Sequence, residues 1–122
     1  MPIYITENGG AFPDEAFIEL NGDDDIKNSP RTLTIDDQDR VEYFEEHVEA
    51  ALNARDAGVN IRGYFAWSLL DNLEWAEGWT KRFGIVHVDP VTQVRTPKKS
   101  AYFFRELIAR RNRKRTLPTT SL

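Results

Sequence analysis

The spacing of apolar positions changes several times along the chain, and each change predicts a new element. Ile3-Tyr4-Ile5-Thr6 is a short apolar run that reads as a strand, and Gly9-Gly10 breaks it. From Ala11 to Ile35 no period is sustained. Asn21-Gly22, three consecutive aspartates at 23–25 and Ser29-Pro30 predict a long loop there, of the kind that is functional or disordered. Val41, Phe44, Val48, Ala51 and Leu52 then fall on one stripe of an amphipathic helix, flanked by Tyr43 and His47. Asp36 is placed to cap this helix, Asp39 to favour its first turn, and Gly58 to end it as the C′ residue.

Ile61 to Trp67 is apolar at nearly every position, as expected of a parallel strand buried on both faces. Strand, loop, helix, strand is the order of a βαβ unit. An irregular stretch with Trp75 and Trp79 follows. Phe83 to Asp89 alternates like a strand, Pro90 to Gln93 turns, and Val94 to Thr96 returns as a hairpin. Thr96-Pro97 reads as N-cap and first-turn proline of a last helix, with Ala101, Phe104, Leu107 and Ile108 as its stripe. Residues 1–112 make one unit. Residues 113–122 read as a basic, disordered tail that continues the run Arg110-Arg111-Asn112-Arg113-Lys114-Arg115.

Composition narrows the function. With 122 residues there is room for one domain with a modest core. The formal charge of −4, from 16 basic and 20 acidic residues, argues against a general nucleic-acid binder, and the basic run reads as cations at a helix C-terminus. Without cysteine there are no disulfides or thiolate metal sites, and His47 and His87 stand in contexts too different to suggest a metal. No apolar run approaches the about 20 residues that span a membrane. Met1-Pro2 leads straight into a strand without a signal-peptide pattern, so the expectation is a cytoplasmic protein with no cofactor, nucleic-acid or membrane partner.

Two segments carry candidate chemistry. Glu7 lies just beyond the first strand, and Glu74 lies beyond the second with Trp67 and Trp75 near it. Carboxylates with indole rings suit a sugar site, because acids act on or grip hydroxyl groups and rings stack on the C–H face of a pyranose. A glycosidase needs two catalytic carboxylates, and only one can be placed here. On spacing alone a strand-end Glu7 reads as a solvated side chain and Trp67 as core. Two strands and two helices also do not close a core. Their apolar strands want neighbours on both edges, which a (β/α)₈ barrel supplies while keeping its chemistry on loops after the strands. A barrel of about 250 residues would take roughly two of its eight units from this chain.

The residues then resemble a known family. The blocks are Pro2-Ile3-Tyr4-Ile5-Thr6-Glu7-Asn8-Gly9, then Asp39-Arg40-Val41 with Tyr43 and His47, and Gly63-Tyr64-Phe65-Ala66-Trp67-Ser68-Leu69-Leu70-Asp71-Asn72-Leu73-Glu74-Trp75. Lys81-Arg82-Phe83-Gly84-Ile85-Val86-His87-Val88-Asp89 and Thr96-Pro97-Lys98-Lys99-Ser100 complete them. In this order and spacing they resemble the C-terminal part of a family-one glycoside hydrolase, the retaining β-glucosidase family. The resemblance runs from residue 2 to about residue 112.

The resemblance implies an α/β fold, the C-terminal portion of a (β/α)₈ TIM barrel holding strands seven and eight with their helices. It implies Glu7 as the catalytic nucleophile, Glu74 as the grip on the 4- and 6-hydroxyls, and Trp75 as an indole N–H donor. Trp67 becomes the stacking floor and Phe83 a wall near the 6-position, although ordinary packing explains Phe83 nearly as well. Asn8 is expected to shape the strand end and Trp79 to reach the outer rim. The general acid/base glutamate of the family has no counterpart in this chain. Hydrolysis of a β-glycoside is therefore expected to need a complementary N-terminal barrel chain. The alternatives are a catalytically inactive assembly module, closing its strand edges with copies of itself, and a stand-alone sugar-binding domain.

Overall fold

The computed structural model describes residues 1–13, 17–20 and 32–116. The elements are β1 (Ile3–Asn8), β2 (Phe17–Leu20), β3 (Thr32–Ile35), α1 (Gln38–Asp56), β4 (Ile61–Ala66), β5 (Val86–Val88), β6 (Arg95–Pro97) and α2 (Lys99–Thr116). The strands form three two-stranded sheets among the described residues: β1 with β4, β2 with β3, and β5 with β6. β1 and β4 run parallel, with Ile3 opposite Ile61, Ile5 opposite Tyr64 and Asn8 opposite Ala66. Chain from the first to the second passes through α1, so the βαβ order expected from the sequence is present.

α1 ends as its sequence predicts. Gly58 has φ +100°, the left-handed conformation that glycine adopts without strain. The Gly58 N–H donates to the Arg55 carbonyl at 3.0 Å and the Val59 N–H to the Ala54 carbonyl at 3.0 Å, the paired bonds of a Schellman motif. The helix starts one residue later than expected. Asp37, not Asp36, occupies its N-cap position, and the Asp37 side chain does not cap α1. It turns instead to α2, accepting the Ser100 N–H at 2.9 Å and the Ser100 hydroxyl at 2.5 Å. It also pairs with Arg40 at 2.6 Å.

That cross-connection corrects the expected start of α2. Thr96-Pro97 is not its N-cap and first residue; Pro97 ends β6, opposite Val86. Helical hydrogen bonding begins at the Lys98 carbonyl, which accepts from Ala101 at 3.0 Å. The orphan N–H of the first turn finds its acceptor on Asp37, 63 residues earlier in sequence, which no local pattern discloses. At its other end α2 runs through Thr116, so residues 113–116 of the predicted tail are helical. Residues 117–122 of that predicted tail lie outside the described residues.

The stretch from Ala11 to Ile35 is not wholly loop. Phe17–Leu20 and Thr32–Ile35 pair antiparallel, Phe17 opposite Ile35 and Leu20 opposite Thr32. Four-residue runs are too short to show a period, and β3 draws on partners outside its sequence neighbourhood. Thr34 donates its hydroxyl to the Pro97 carbonyl at 2.7 Å, and Ile35 bridges to Lys98. In the predicted strand from Phe83 to Asp89, only Val86–Val88 pair as β5, with β6.

The buried apolar centre is small. Among the described residues Ile35 and Phe44 are the buried hydrophobic ones, and Phe44 meets Phe104 of α2 edge to face at 5.0 Å between centroids. Around them the interior is polar: Thr34, Asp37, Arg40, Ser68, Asp71, Lys98 and Ser100 are all buried. The β1–β4 sheet is not buried on both faces as its composition predicts. Tyr4 and Phe65 are each 56% exposed, and Ile3, Trp67 and Leu69 are exposed beside them. A strand that is apolar at nearly every position but has one neighbour retains the composition of a sheet interior without its covering.

Candidate active site

Glu7 sits at the C-terminal end of β1 with its side chain exposed. The next residue is fixed firmly. Asn8 Nδ2 donates to the Tyr43 hydroxyl at 3.2 Å, and Asn8 Oδ1 accepts the Tyr64 hydroxyl in a short hydrogen bond. Tyr43 in turn donates to the Gly9 carbonyl at 3.2 Å and stacks on His47. Thus α1 and β4 both grip the residue that follows Glu7, so Asn8 shapes the strand end. Burial, reinforced by the neighbouring Tyr43, pushes the Tyr64 phenol up to about 12, which keeps it a neutral donor to Asn8.

The end of β4 lies against the end of β1. The Trp67 N–H donates to the Asn8 carbonyl at 2.8 Å, which brings Glu7 and Trp67 to adjoining strand ends. Trp67 is 41% exposed, so its ring is not core. The peptide between Trp67 and Ser68 is cis. Ser68 is buried and donates its N–H to the Phe83 carbonyl at 3.1 Å, which places Phe83 beside the same strand end. Phe83 is half-buried.

Glu74 and Trp75 stand further out. The Glu74 and Gly78 backbones exchange hydrogen bonds of 3.0 and 2.7 Å, closing a tight turn whose Gly78 has φ +60°. Trp75 is 97% exposed on that turn, and Glu74 is half-buried. The structure therefore brings Glu7, Trp67 and Phe83 together at one end of the sheet. It holds Glu74 and Trp75 on a turn tied to them through residues 68–73. Trp79 is half-exposed, with the Arg82 guanidinium 5.6 Å from its ring centroid.

Sequence reasoning missed the groups that hold this arrangement. Arg40 is fully buried. It pairs with Asp37, donates to the Arg82 carbonyl at 2.8 Å and lies over the Phe12 ring. Asp71 and Lys98 form a second buried pair at 2.8 Å. Arg40 precedes Phe44 by one helical turn, so a cation on the apolar face was its available signal. Nothing local in the sequence points Lys98 at Asp71.

The arrangement joins an exposed carboxylate at a strand end to indole and phenyl surfaces on the neighbouring segment. Such a surface can present an oxygen nucleophile to a sugar carbon while aromatic rings support the ring's C–H face.

The sequence profile described as "Glycosyl hydrolase family 1" matches residues 1–113. The bifunctional beta-D-glucosidase/beta-D-fucosidase of Bifidobacterium breve is 44% identical over 109 residues, covering 89% of this chain and 22% of that protein. Beta-glucosidase A of Thermotoga maritima is 45% identical over 106 residues, covering 87% of this chain and 21% of that protein. Among solved structures, the psychrophilic beta-glucosidase BglU from Micrococcus antarcticus superposes with a TM-score of 0.73 at 45% identity, over 89% of this chain and 20% of that one. The family's fold is the (β/α)₈ barrel, and the described residues form an open piece of it. The chain spans about a fifth of the length of the curated relatives it matches, and it belongs to glycosyl hydrolase family 1.

Proposed function

We propose that this chain supplies the nucleophile and part of the sugar pocket of a retaining β-glucosidase-like enzyme. In this reading β1 and β4 are barrel strands seven and eight, and Glu7 attacks the anomeric carbon. A retaining enzyme sets a protonated carboxyl about 5–5.5 Å from the nucleophile, so the remainder of the barrel brings that second acid. Trp67 lies under the sugar ring, Phe83 walls the 6-position, and Glu74 and Trp75 take the outer hydroxyls. The substrate is a β-glycoside, no cofactor takes part, and the working enzyme is cytoplasmic. The observation that carries the reading is the Trp67–Asn8 backbone hydrogen bond, which sets the Glu7 strand end against the aromatic one. No helix among the described residues is long and apolar enough to cross a membrane.

The test is the anomeric configuration of the first sugar released from an aryl β-glucoside, followed by proton NMR. The enzyme is this chain combined with the N-terminal portion of its barrel. Release of the β-anomer, abolished by Glu7→Gln, is expected. Release of the α-anomer, or full activity in Glu7→Gln, would remove Glu7 from the role.

The exposed Ile3, Tyr4 and Phe65 on an open sheet favour a second reading, in which copies of the chain close one another's edges as a catalytically inactive assembly. Light scattering separates the two. A sharp closed oligomer of this chain alone supports assembly, and its replacement by a one-to-one complex when the rest of the barrel is added supports the enzyme.

A further inference from the structure

A buried ion pair lies behind the aromatic segment. Asp71 Oδ1 accepts Lys98 Nζ at 2.8 Å, with both side chains 0% exposed. The same oxygen accepts the Gly84 N–H at 3.0 Å, and His87 Nδ1 lies 3.2 Å from Asp71 Oδ2. The carboxylate thus holds the start of α2 and the residue after Phe83 at one point. Around it the backbone is stitched residue by residue: Ile85 N–H to the Ser68 carbonyl, Val86 N–H to Leu69, and Asp71 N–H to Val86, each at 3.0 Å.

Burying two charges is a poor way to gain stability, because desolvation cancels most of their attraction and a well-packed apolar pair often does as well. What an apolar pair cannot supply is direction. A carboxylate with a cation on one side and an N–H on another has a defined position relative to both. Asp71 stands between Trp67 and the Glu74–Trp75 turn, and Gly84 adjoins Phe83. The fit admits no slack: a β-carbon on Gly84 would lie 2.2 Å from the Asp71 nitrogen and 2.7 Å from its Oδ1.

We propose that Asp71 and Lys98 are positioning residues for the sugar pocket. They lock residues 67–75 against 83–86 and so fix where Glu74, Trp75 and Phe83 meet a β-glycoside. The inference rests on the proposed enzymatic reading for its substrate, but not for the lock itself. The pair touches no reacting atom; it acts through the segments it joins.

The experiment uses the assembled enzyme and two independent routes to the same displacement. Asp71→Asn combined with Lys98→Met removes both charges together, leaving neither buried alone. Gly84→Ala keeps both charges and forces the two segments apart. The readouts are KM and kcat on an aryl β-glucoside and the indole N–H NMR signals of Trp67 and Trp75. Both variants are expected to raise KM by about tenfold to a hundredfold, the scale of a 1 Å misplacement, with a smaller change in kcat. The Trp75 signal is expected to shift or broaden in both. A folded variant with the parent's KM and indole spectrum overturns the lock. If the double variant does not fold, Gly84→Ala decides. If the parent hydrolyses no β-glycoside, the enzymatic reading fails and the spectra alone judge the lock: altered indole signals support it and unchanged ones overturn it.

Discussion

The Trp67 carbonyl oxygen occupies the space beside Gly9 so fully that a β-carbon on that glycine would lie 1.9 Å from it. The obstruction is backbone, not the end of a flexible side chain, so it cannot step aside. Two residues past Glu7, the chain must therefore be glycine for the ends of β1 and β4 to meet. Gly9→Ala is expected to part them and break the Trp67–Asn8 hydrogen bond. In the assembled enzyme this lowers kcat/KM by about a hundredfold, since misplacement by 1 Å costs that much. Steady-state kinetics on an aryl β-glucoside checks it, and an unchanged kcat/KM would show that the close approach does not place Glu7.

The Asp37 carboxylate caps α2 through Ser100 while neutralising Arg40, and all three side chains are buried. Asp37→Ala removes the acceptor for Ser100 and takes the carboxylate away from the buried guanidinium. Breaking a buried pair on one side costs about 3–5 kcal/mol. Chemical denaturation of the assembled protein should show a loss of that order, and Arg40→Met combined with Asp37→Ala should recover part of it. A loss below about 1 kcal/mol, the worth of a cap alone, would mean that the ion pair is immaterial.

Tyr64 gives a pH signature. Its phenol is raised from 10.0 to about 12, first by burial and then by Tyr43. The folded state thus holds the proton more tightly than the unfolded chain. The associated stability is whole below pH 10 and is lost as pH rises from 10 through about 12. The stability of the parent should fall across that window more steeply than that of Tyr64→Phe. Parallel slopes in the two proteins would contradict the burial of the phenol beside Tyr43.

Phe44 is fully buried against Phe104, at the meeting of α1 and α2. Phe44→Ala leaves a cavity in a small apolar centre and is expected to cost about 3–5 kcal/mol. Leu52 belongs to the same predicted stripe but is exposed, so Leu52→Ala should change stability far less. Thermal unfolding of the two variants, side by side, tests whether the stripe is buried only at its N-terminal half.

Much of the fold was legible wherever one short segment carried its own signal. The β1–α1–β4 order, the Gly58 ending of α1 and the β5–β6 hairpin all follow from period and turn residues. The hairpin turn even shows its cause: the Asp89 carboxylate accepts the Thr92 and Val91 N–H groups at 2.6 and 2.9 Å, which hold it below the usual carboxylate range. What failed depended on partners far away in sequence. β2 and β3 are too short to show a period, and β3 leans on Pro97 and Lys98. The start of α2 is decided by Asp37, not by the adjacent Thr96-Pro97. The strand composition spoke for covering layers that the described residues do not contain. For the candidate site, the resemblance proposes roles for Glu7, Trp67 and Phe83, but for Asp71, Lys98, Arg40 and Tyr64, which stand in the same blocks, it proposes none. Their roles exist only once segments distant in sequence are packed together.

The central proposal is that Glu7 forms a covalent bond to the sugar. The most direct measurement is peptide mapping by mass spectrometry of the assembled enzyme after reaction with a slow β-glucoside whose glycosyl intermediate persists. The account predicts a single glycosyl adduct on the peptide containing Glu7, absent from Glu7→Gln. Hydrolysis that proceeds with no adduct on that peptide, or with an adduct on another carboxylate, would contradict it.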